Sequence, residues 1–405
     1  MYATGRPAAD IVAEIDQRRS REPDVHGARL FGLVYPSGDH ALEDLVIEVN
    51  RRYLFGNALN PFKFPELAAM ESEVVAAAGS LFRIPDGGGG TMTSGGTESI
   101  LMSMLVNRER ARERGIARPQ ILAPDSAHPA YAKAAHYFGM EVVRVPLDDA
   151  WRADVAAARA LITERAAVVV ASAFCYPYGV MDPVEELAGL AAEHGAGCHV
   201  DACIGGFVLP FMARCGRSVP PWDFSVPGVT EISADIHKYG YAPKGASVVL
   251  HRDDDWFARQ VFLYDAWGSG LYGSPGVAGA RPAAPIATAW AVLQHLGVDG
   301  YVRIMSDLLE TVDVVRDAID SIEGLDIVGA PIGPVMAMQS DRFDTDAIGD
   351  VMDDRGWHLN RNTRPKGLHL MLSPAHRRVR DALVADLRAA VVDHGTSRGI
   401  QARYS

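Results

Sequence analysis

Short apolar segments alternate with helical patterns through the middle of this chain, and this alternation is its most restrictive feature. An apolar run without polar alternation indicates a strand that is buried on both faces, and a helix between two such strands makes them parallel. The segments predicted as strands are 121–124, 141–145, 167–172, 197–202, 231–235 and 245–251. The sequence therefore predicts an α/β protein with a mainly parallel central sheet.

The length of 405 residues predicts more than one domain. Pro282 and Pro285 interrupt the chain after the last strand predicted for the sheet. Two long helical patterns and a second set of short apolar segments follow. We expect an N-terminal segment over 1–39, a large domain over 40–285 and a smaller C-terminal α/β domain over 286–405.

The composition restricts the class of partner. The chain has 39 Lys and Arg residues against 51 Asp and Glu residues, and the net charge of −12 disfavours nucleic acid and anionic membranes. The N-terminus has no apolar core, and the longest nearly apolar run, 166–176, is too short to cross a bilayer. Four cysteines are too few for a disulfide framework. We expect a cytoplasmic protein without an integral membrane span.

The motif SADIHKYGYAPKG, 233–245, places Lys238 directly after an apolar strand. Burial in apolar surroundings lowers the pKa of a lysine, and such a lysine can serve as a Schiff-base nucleophile. The alternative is a surface lysine after a strand, and the motif alone does not separate the two.

Asp201, in HVDACIGG, lies at the carboxyl end of a predicted strand, where open α/β sheets bind ligands. A carboxylate there can pair with the protonated ring nitrogen of pyridoxal phosphate (PLP), cap a helix or ligate a metal. His199 and Asp201 share one face of the strand, whereas Cys198 points to the other face, so the three cannot converge on one ion. We predict no metal site.

Two further motifs precede this aspartate. In TSGGTES, the backbone N–H groups of Gly95, Gly96 and Thr97 at a helix start form a site for an anion, and the pattern matches neither P-loop nor GxGxxG. In SAHPAY, His128 could stack on a flat cofactor ring. An anion cradle, a histidine, a strand-end aspartate and a later lysine, in this order, are typical of a fold-type I PLP enzyme.

Four stretches resemble the sphingosine-1-phosphate lyase family, within the group II PLP-dependent decarboxylases. They are TSGGTESILM, SAHPAYAKAAHYFGM, HVDACIGGF and DFSVPGVTEISADIHKYGYAPKGAS, and the resemblance covers about residues 25–395. It implies a fold-type I PLP-dependent transferase fold, PLP as cofactor and a homodimer with the active site at the subunit interface. It also implies cleavage of the Cα–Cβ bond of a phosphorylated sphingoid base, sphingosine 1-phosphate, to a long-chain aldehyde and phosphoethanolamine.

The resemblance assigns a role to each cofactor contact, residue by residue. Lys238 would hold PLP covalently, Asp201 would keep its ring nitrogen protonated and His128 would stack on the ring. Ser172 would approach the ring from the strand below it, and Ser274, in GLYGSPG, would reach the cofactor phosphate of the partner subunit. The residues that would bind the cofactor phosphate within the chain are Gly95, Gly96, Thr97 and His237.

The resemblance also assigns residues to the substrate. Lys244 would grip the substrate phosphate together with Tyr35, and Tyr176 would lie near the reacting carbon. The base that takes the β-hydroxyl proton would be Lys238 or Tyr176, and the sequence does not choose between them.

The segment NALNPFKFP, 57–65, departs from the family pattern. Asn60 stands where the family usually carries a histidine, and Lys63 adds a positive charge nearby. We expect Asn57, Asn60 and Lys63 to belong to a substrate-phosphate site that is rebuilt relative to the family, or to one that takes a different β-hydroxy amine.

Other functions use the same features. An amino-acid decarboxylase on this scaffold would keep the Lys, Asp and His but would hold its substrate carboxylate with an arginine, and Lys244 favours the lyase instead. A non-catalytic protein of this fold would bind no chromophore. A metal-dependent hydrolase would use the Cys and His residues around Asp201.

Overall fold

The computed structural model describes residues 1–2 and 4–399. The strands of its central sheet are β1 (Gly89–Thr93), β2 (Gln120–Pro124), β3 (Glu141–Val145), β4 (Ala166–Ser172), β5 (Gly197–Asp201), β6 (Glu231–Ala234) and β7 (Ser247–His251). Their order is β1-β7-β6-β5-β4-β2-β3. Strands β2 to β6 pair in parallel, and β7 runs antiparallel to both of its neighbours. The predicted α/β class with a mainly parallel sheet is confirmed.

Helices cover this sheet, since every residue of β2, β4, β5, β6 and β7 is buried. The helices are α1 (Ala8–Arg19), α2 (His40–Tyr53), α3 (Pro65–Leu81), α4 (Gly96–Glu113), α5 (Ala130–Phe138), α6 (Val155–Leu161), α7 (Val184–Glu193), α8 (Leu209–Arg214), α9 (Asp254–Ala258), α10 (Ala283–Asp320), α11 (Thr345–Asp354) and α12 (Arg380–Asp393). Aspartate side chains accept hydrogen bonds from first-turn N–H groups and so begin α2, α6, α9 and α11.

A hairpin and a second sheet follow the central sheet in the chain. The hairpin pairs β8 (Phe262–Tyr264) with β9 (Tyr272–Ser274). The second sheet is antiparallel and consists of β10 (Asp326–Ile327), β11 (Val335–Gln339), β12 (Asn360–Thr363) and β13 (Lys366–Met371). Helix α10 begins at Ala283 and has non-helical dihedral angles at Gly297, so the predicted boundary at 285 falls in its first turn. The division into domains stays a prediction.

Strand β1 lies in a glycine-rich stretch, where no apolar pattern predicts a strand. A Cβ at Gly90 would lie 2.2 Å from the carbonyl oxygen of Val249 on β7, so this close approach of two backbones needs glycine. Glycine has no side chain to show the alternation of a strand, which is why the sequence pattern misses β1. Among the helices of the described residues, none has both the length and the apolar composition needed to cross a membrane.

Candidate active site

A cavity of about 310 Å³ lies where β4 and β5 end, at the carboxyl edge of the parallel strands. It brings together residues that the sequence motifs place far apart in the chain. The predicted site residues that line it are Gly95, Gly96, Thr97, His128, Ser172, Tyr176, Asp201, His237 and Lys238.

Lys238 forms an ion pair with Asp235, a site residue that the sequence reasoning missed. Nζ of Lys238 lies 2.9 Å from Oδ2 of Asp235, and the two side chains are 16% and 2% exposed. Burial alone would lower the pKa of Lys238, but the Asp235 carboxylate outweighs burial and raises this pKa well above its usual value. The lowered pKa expected from the sequence is therefore wrong for this structure. Lys238 must release a proton before its nitrogen can act as a nucleophile.

Asp201 and Ser172 lie side by side, because the ends of β5 and β4 are in register there. Oδ1 of Asp201 accepts a hydrogen bond from the backbone N–H of Cys203 at 3.1 Å. The backbone N–H of Ser172 donates to Oδ2 of Asp182 at 2.8 Å. These bonds hold the Asp201 carboxylate and the Ser172 backbone in place at the wall of the cavity.

His128 reaches the same cavity from the segment before α5. Its Nδ1 accepts a hydrogen bond from the backbone N–H of Ala130 at 3.1 Å. Burial lowers the pKa of His128, and the opposing effect of the Asp201 carboxylate does not overcome it. The imidazole is therefore neutral at pH 7, which suits a ring that stacks on a flat cofactor.

The polar atoms around the glycine loop fit a bound phosphate. A Cβ at Gly96 would lie 2.7 Å from Sγ of Cys203 and 2.9 Å from Oδ2 of Asp235, so the start of α4 comes closer to the lysine segment than a larger residue allows. Nδ1 of His237 is buried, and within the described residues it has no hydrogen-bond partner, so its N–H can donate to a phosphate oxygen. Such an atom costs free energy until a partner is supplied. The residues present therefore fit PLP, whose phosphate would face the N-terminus of α4.

Glu98, which the sequence motifs did not single out, connects two loops. Its Oε2 accepts hydrogen bonds from the N–H and the hydroxyl of Ser94 at 2.7 and 2.6 Å. Its Oε1 accepts a hydrogen bond from the N–H of Val277 at 2.9 Å. One carboxylate thus holds the glycine loop against the segment that follows Ser274.

Lys244 and Tyr35 lie together beside the lysine segment, although neither is among the described residues that line the cavity. Nζ of Lys244 lies 4.5 Å from the centre of the Tyr35 ring and donates to the carbonyl oxygen of His237 at 3.3 Å. The Tyr35 ring packs edge-on against Tyr239, with centres 5.3 Å apart. The side chain of Lys244 is exposed, but desolvation by the surrounding protein and the positive charge of Lys238 lower its pKa to about 8. Below about pH 8, Lys244 therefore carries a positive charge next to Tyr35.

Four predicted residues, Asn57, Asn60, Lys63 and Ser274, are not brought to the Lys238 cavity of the same chain, since none of them is among the described residues that line it. Oδ1 of Asn60 accepts two backbone hydrogen bonds within its own turn at 3.0 and 3.1 Å, and Asn60 lines a separate cavity of about 530 Å³. The hydroxyl of Ser274 donates to carbonyl oxygens of its own loop at 3.1 Å. Their roles stay predictions.

His199 and Cys198 are buried within strand β5 of the central sheet, whereas Cys203 lines the cavity. Nδ1 and Nε2 of His199 are hydrogen-bonded to the hydroxyl groups of Tyr131 and Ser233 at 2.9 and 2.8 Å. Burial raises the pKa of Cys198 to about 12. Within residues 1–2 and 4–399, no three His, Cys, Asp or Glu side chains converge as ligands for a metal.

Comparisons with known proteins extend over nearly the whole chain. The pyridoxal-dependent decarboxylase conserved domain matches residues 56–337. Sphingosine-1-phosphate lyase 1 of Mus musculus is 39% identical over 392 residues, which cover 96% of this chain and 69% of the mouse protein. The sphingosine-1-phosphate lyase of Arabidopsis thaliana is 39% identical over 388 residues, which cover 94% of this chain and 71% of the plant protein.

Two solved structures superpose closely on this chain. The sphingosine-1-phosphate lyase of Burkholderia pseudomallei superposes with a TM-score of 0.93 and 37% identity, covering 97% of this chain and 92% of the other. The glutamate decarboxylase of Lactobacillus brevis superposes with a TM-score of 0.86 over 99% of this chain and 96% of the other, but at 19% identity it shows the fold alone. The fold is therefore the fold-type I PLP-dependent fold and the cofactor is PLP. The chain belongs to the sphingosine-1-phosphate lyase family of PLP-dependent lyases.

Proposed function

We propose that this protein cleaves the Cα–Cβ bond of sphingosine 1-phosphate to a long-chain aldehyde and phosphoethanolamine. The observation that carries the proposal is the placement of two lysines on one segment. Lys238 lines the cavity together with Asp201, and Lys244 lies against Tyr35 and the backbone of the same segment. This placement supports Lys238 as the cofactor lysine and Lys244 as the group that binds an anionic part of the substrate.

The cavity residues suit a flat cofactor that carries a phosphate. Bound PLP supplies an electron sink for a bond that breaks at the substrate Cα. Asp201 would keep its ring nitrogen protonated, His128 would stack on its face and Ser172 would lie below it. The residues that would bind its phosphate are Gly95, Gly96, Thr97 and His237.

The cleavage needs a base for the proton of the substrate β-hydroxyl. Lys238 and Tyr176 both line the cavity and are the groups proposed for this step. Asp235 lies 2.9 Å from Nζ of Lys238 and stabilises the protonated lysine. This favours Lys238 over Tyr176 as the group that takes up the β-hydroxyl proton. The protonated Lys238 would then be the proton donor for the later protonation at Cα.

Lys244 would bind the substrate phosphate. With a pKa of about 8 it carries a positive charge at pH 7, and its position beside Tyr35 adds a phenol to the same anchor. Within the described part of the chain, no arginine lines the Lys238 cavity, so the carboxylate anchor expected of an amino-acid decarboxylase is not found there. Lys244 beside the lysine segment, together with 39% identity to the mouse sphingosine-1-phosphate lyase, supports the lyase reaction.

A homodimer would complete the site. Phe55 and Phe62 are 95% and 92% exposed, and the hairpin β8–β9 exposes Trp267 and its neighbours. Large apolar surfaces of this kind mark interfaces. The same segments carry four predicted site residues that do not line the cavity of their own chain: Asn57, Asn60, Lys63 and Ser274. A second copy related by a two-fold axis would cover these surfaces and bring the four residues to its cavity. We also propose that this dimer acts in the cytoplasm.

The test is direct conversion. The purified protein is incubated with PLP and sphingosine 1-phosphate, and the long-chain aldehyde and phosphoethanolamine are sought by mass spectrometry, with Lys238→Ala as the inactive control. Both products from the wild type, and neither from the control, support the proposal. A wild type that binds PLP but forms no aldehyde contradicts it. Carbon dioxide release from amino acids by the same preparation would support the decarboxylase instead.

A further inference from the structure

A buried histidine of the second sheet lies against Tyr176. His369, on β13, is 0% exposed, and its ring centre lies 4.5 Å from that of Tyr176 with 31° between the planes. Its Nε2 lies 2.9 Å from the carbonyl oxygen of Tyr176. The histidine therefore contacts both the ring and the backbone of a residue that lines the Lys238 cavity.

The neighbours of His369 determine which ring nitrogen carries the proton. Nδ2 of Asn360, on β12, lies 3.3 Å from Nδ1 of His369 and also donates to the carbonyl oxygen of Phe31. An amide nitrogen can only donate, so Nδ1 of His369 is the acceptor. A neutral imidazole with an accepting Nδ1 has its proton on Nε2 and donates it to the Tyr176 carbonyl oxygen. Burial lowers the pKa of His369 to about 4, which agrees with a neutral ring at pH 7.

We propose that His369 is a positioning residue for Tyr176, a role that rests on the proposed function because Tyr176 has its part in that reaction. The hydrogen bond holds the backbone of Tyr176, and the imidazole packs on its ring. Together they direct the phenol toward the cavity that Lys238 lines. The second sheet thus contributes to the reaction through orientation, without a side chain at the reacting atoms.

Two amide substitutions separate the hydrogen bond from the packing. His369→Gln places an N–H close to the position of Nε2, whereas His369→Asn reaches only to the position of Nδ1. We expect His369→Asn to lower kcat about 10- to 100-fold with KM changed less than about threefold, because a small misplacement of a reacting group has effects of this size. We expect His369→Gln to stay within about threefold of the wild type. The matched control is His376→Gln, since His376 is equally buried but bonds to Ser373 and Leu30 instead.

A second measurement does not depend on turnover. Tyr176 is replaced by 3-fluorotyrosine, and its fluorine resonance is recorded without substrate. The resonance should shift or broaden in His369→Asn, return to the wild-type position in His369→Gln and be unaffected by His376→Gln. If the Asn and Gln variants give the same kcat and the same resonance, the positioning role is refuted.

The tautomer of His369 can be measured in the wild-type protein, so this test does not depend on whether a variant folds. Nitrogen-15 spectra of labelled histidine should show the His369 proton on Nε2, and a proton on Nδ1 would overturn the proposal. These spectra also separate this inference from the proposed function. A wild type that forms no products but has the Nε2 tautomer and the expected fluorine shifts contradicts only the reaction. A wild type that forms products while the Asn variant keeps its kcat contradicts only the role of His369.

Discussion

Replacing Lys238 by methionine should destabilise the protein strongly, because it removes one partner of a buried ion pair. Asp235 is 2% exposed, and burial alone would raise the pKa of its carboxyl group. Lys238, at 2.9 Å, is the largest influence that lowers this pKa instead. Breaking a buried pair on one side costs about 3–5 kcal/mol, whereas replacing both partners by uncharged groups of similar volume is often nearly neutral. Lys238→Met should therefore lose that amount, and Lys238→Met/Asp235→Asn should regain most of it.

The pH dependence of this loss follows from the same contacts. In the wild type the folded pKa of Asp235 lies below the unfolded value, so its pairing stabilises the protein above the unfolded pKa of about 4 and is lost as the pH falls through the folded pKa. In Lys238→Met, burial is no longer opposed by the lysine and raises the pKa. The carboxyl group then takes up a proton at higher pH, and the deficit relative to the wild type shrinks as the pH falls.

The assay is urea unfolding followed by tryptophan fluorescence, in protein prepared without PLP, at pH 7 and at pH 5. The deficit of the single variant should be largest at pH 7 and smaller at pH 5, while the double variant stays near the wild type at both. Single and double variants that unfold at the same urea concentration at pH 7 would refute the reasoning, since the charge of Asp235 would then have no energetic effect.

Three further substitutions test other parts of the site. Gly96→Ala should abolish PLP binding, because its Cβ would lie 2.7 Å from Sγ of Cys203, whereas Gly189→Ala, with nothing within 4 Å, should bind PLP normally. Lys244→Ala should raise KM for a phosphorylated substrate at least about tenfold. In the wild type this KM should rise above about pH 8, because Lys244 loses its proton there. Lys244→Arg keeps its charge, so its KM should not change over the same pH range. Ser274→Ala should weaken PLP binding about tenfold, the effect of one lost hydrogen bond, and equilibrium dialysis showing unchanged affinity would contradict its role between subunits.

The sequence predicts the arrangement of Asp201 and Ser172 well, because parallel strands end at one edge of a sheet. Once the apolar runs are assigned as parallel strands, the side chains at their carboxyl ends must meet there. Lys238, His128 and the glycine loop enter the same cavity from segments next to that edge. Order along the chain indicates the glycine loop, His128, Asp201 and Lys238, whereas Ser172 is assigned through the resemblance to the lyase family.

The remaining features depend on contacts that no local pattern encodes. β1 is hidden by its two glycines, and the close approach of β7 requires the second of them, Gly90. The pKa of Lys238 was expected to fall with burial, but a carboxylate three residues earlier reverses the direction. Asn57, Asn60 and Lys63 could be matched to a family motif, but a motif does not say which copy of the chain it serves. His369 carries no motif at all, and its contact with Tyr176 arises only when the second sheet packs against the segment that follows β4.

The carboxylate of Glu98 has a thermodynamic consequence for the proposed dimer. Through Ser94 it holds the loop that would bind the cofactor phosphate, and through Val277 it holds the loop that would reach the second subunit. Binding of PLP at the first loop and burial of the second loop in the dimer both stabilise the same pair of hydrogen-bonded loops. Cofactor binding and subunit association therefore share a coupling free energy. Linkage is reciprocal: the factor by which PLP tightens subunit association must equal the factor by which association tightens PLP binding. Diluting the protein should release cofactor, and excess PLP should hold dilute subunits together.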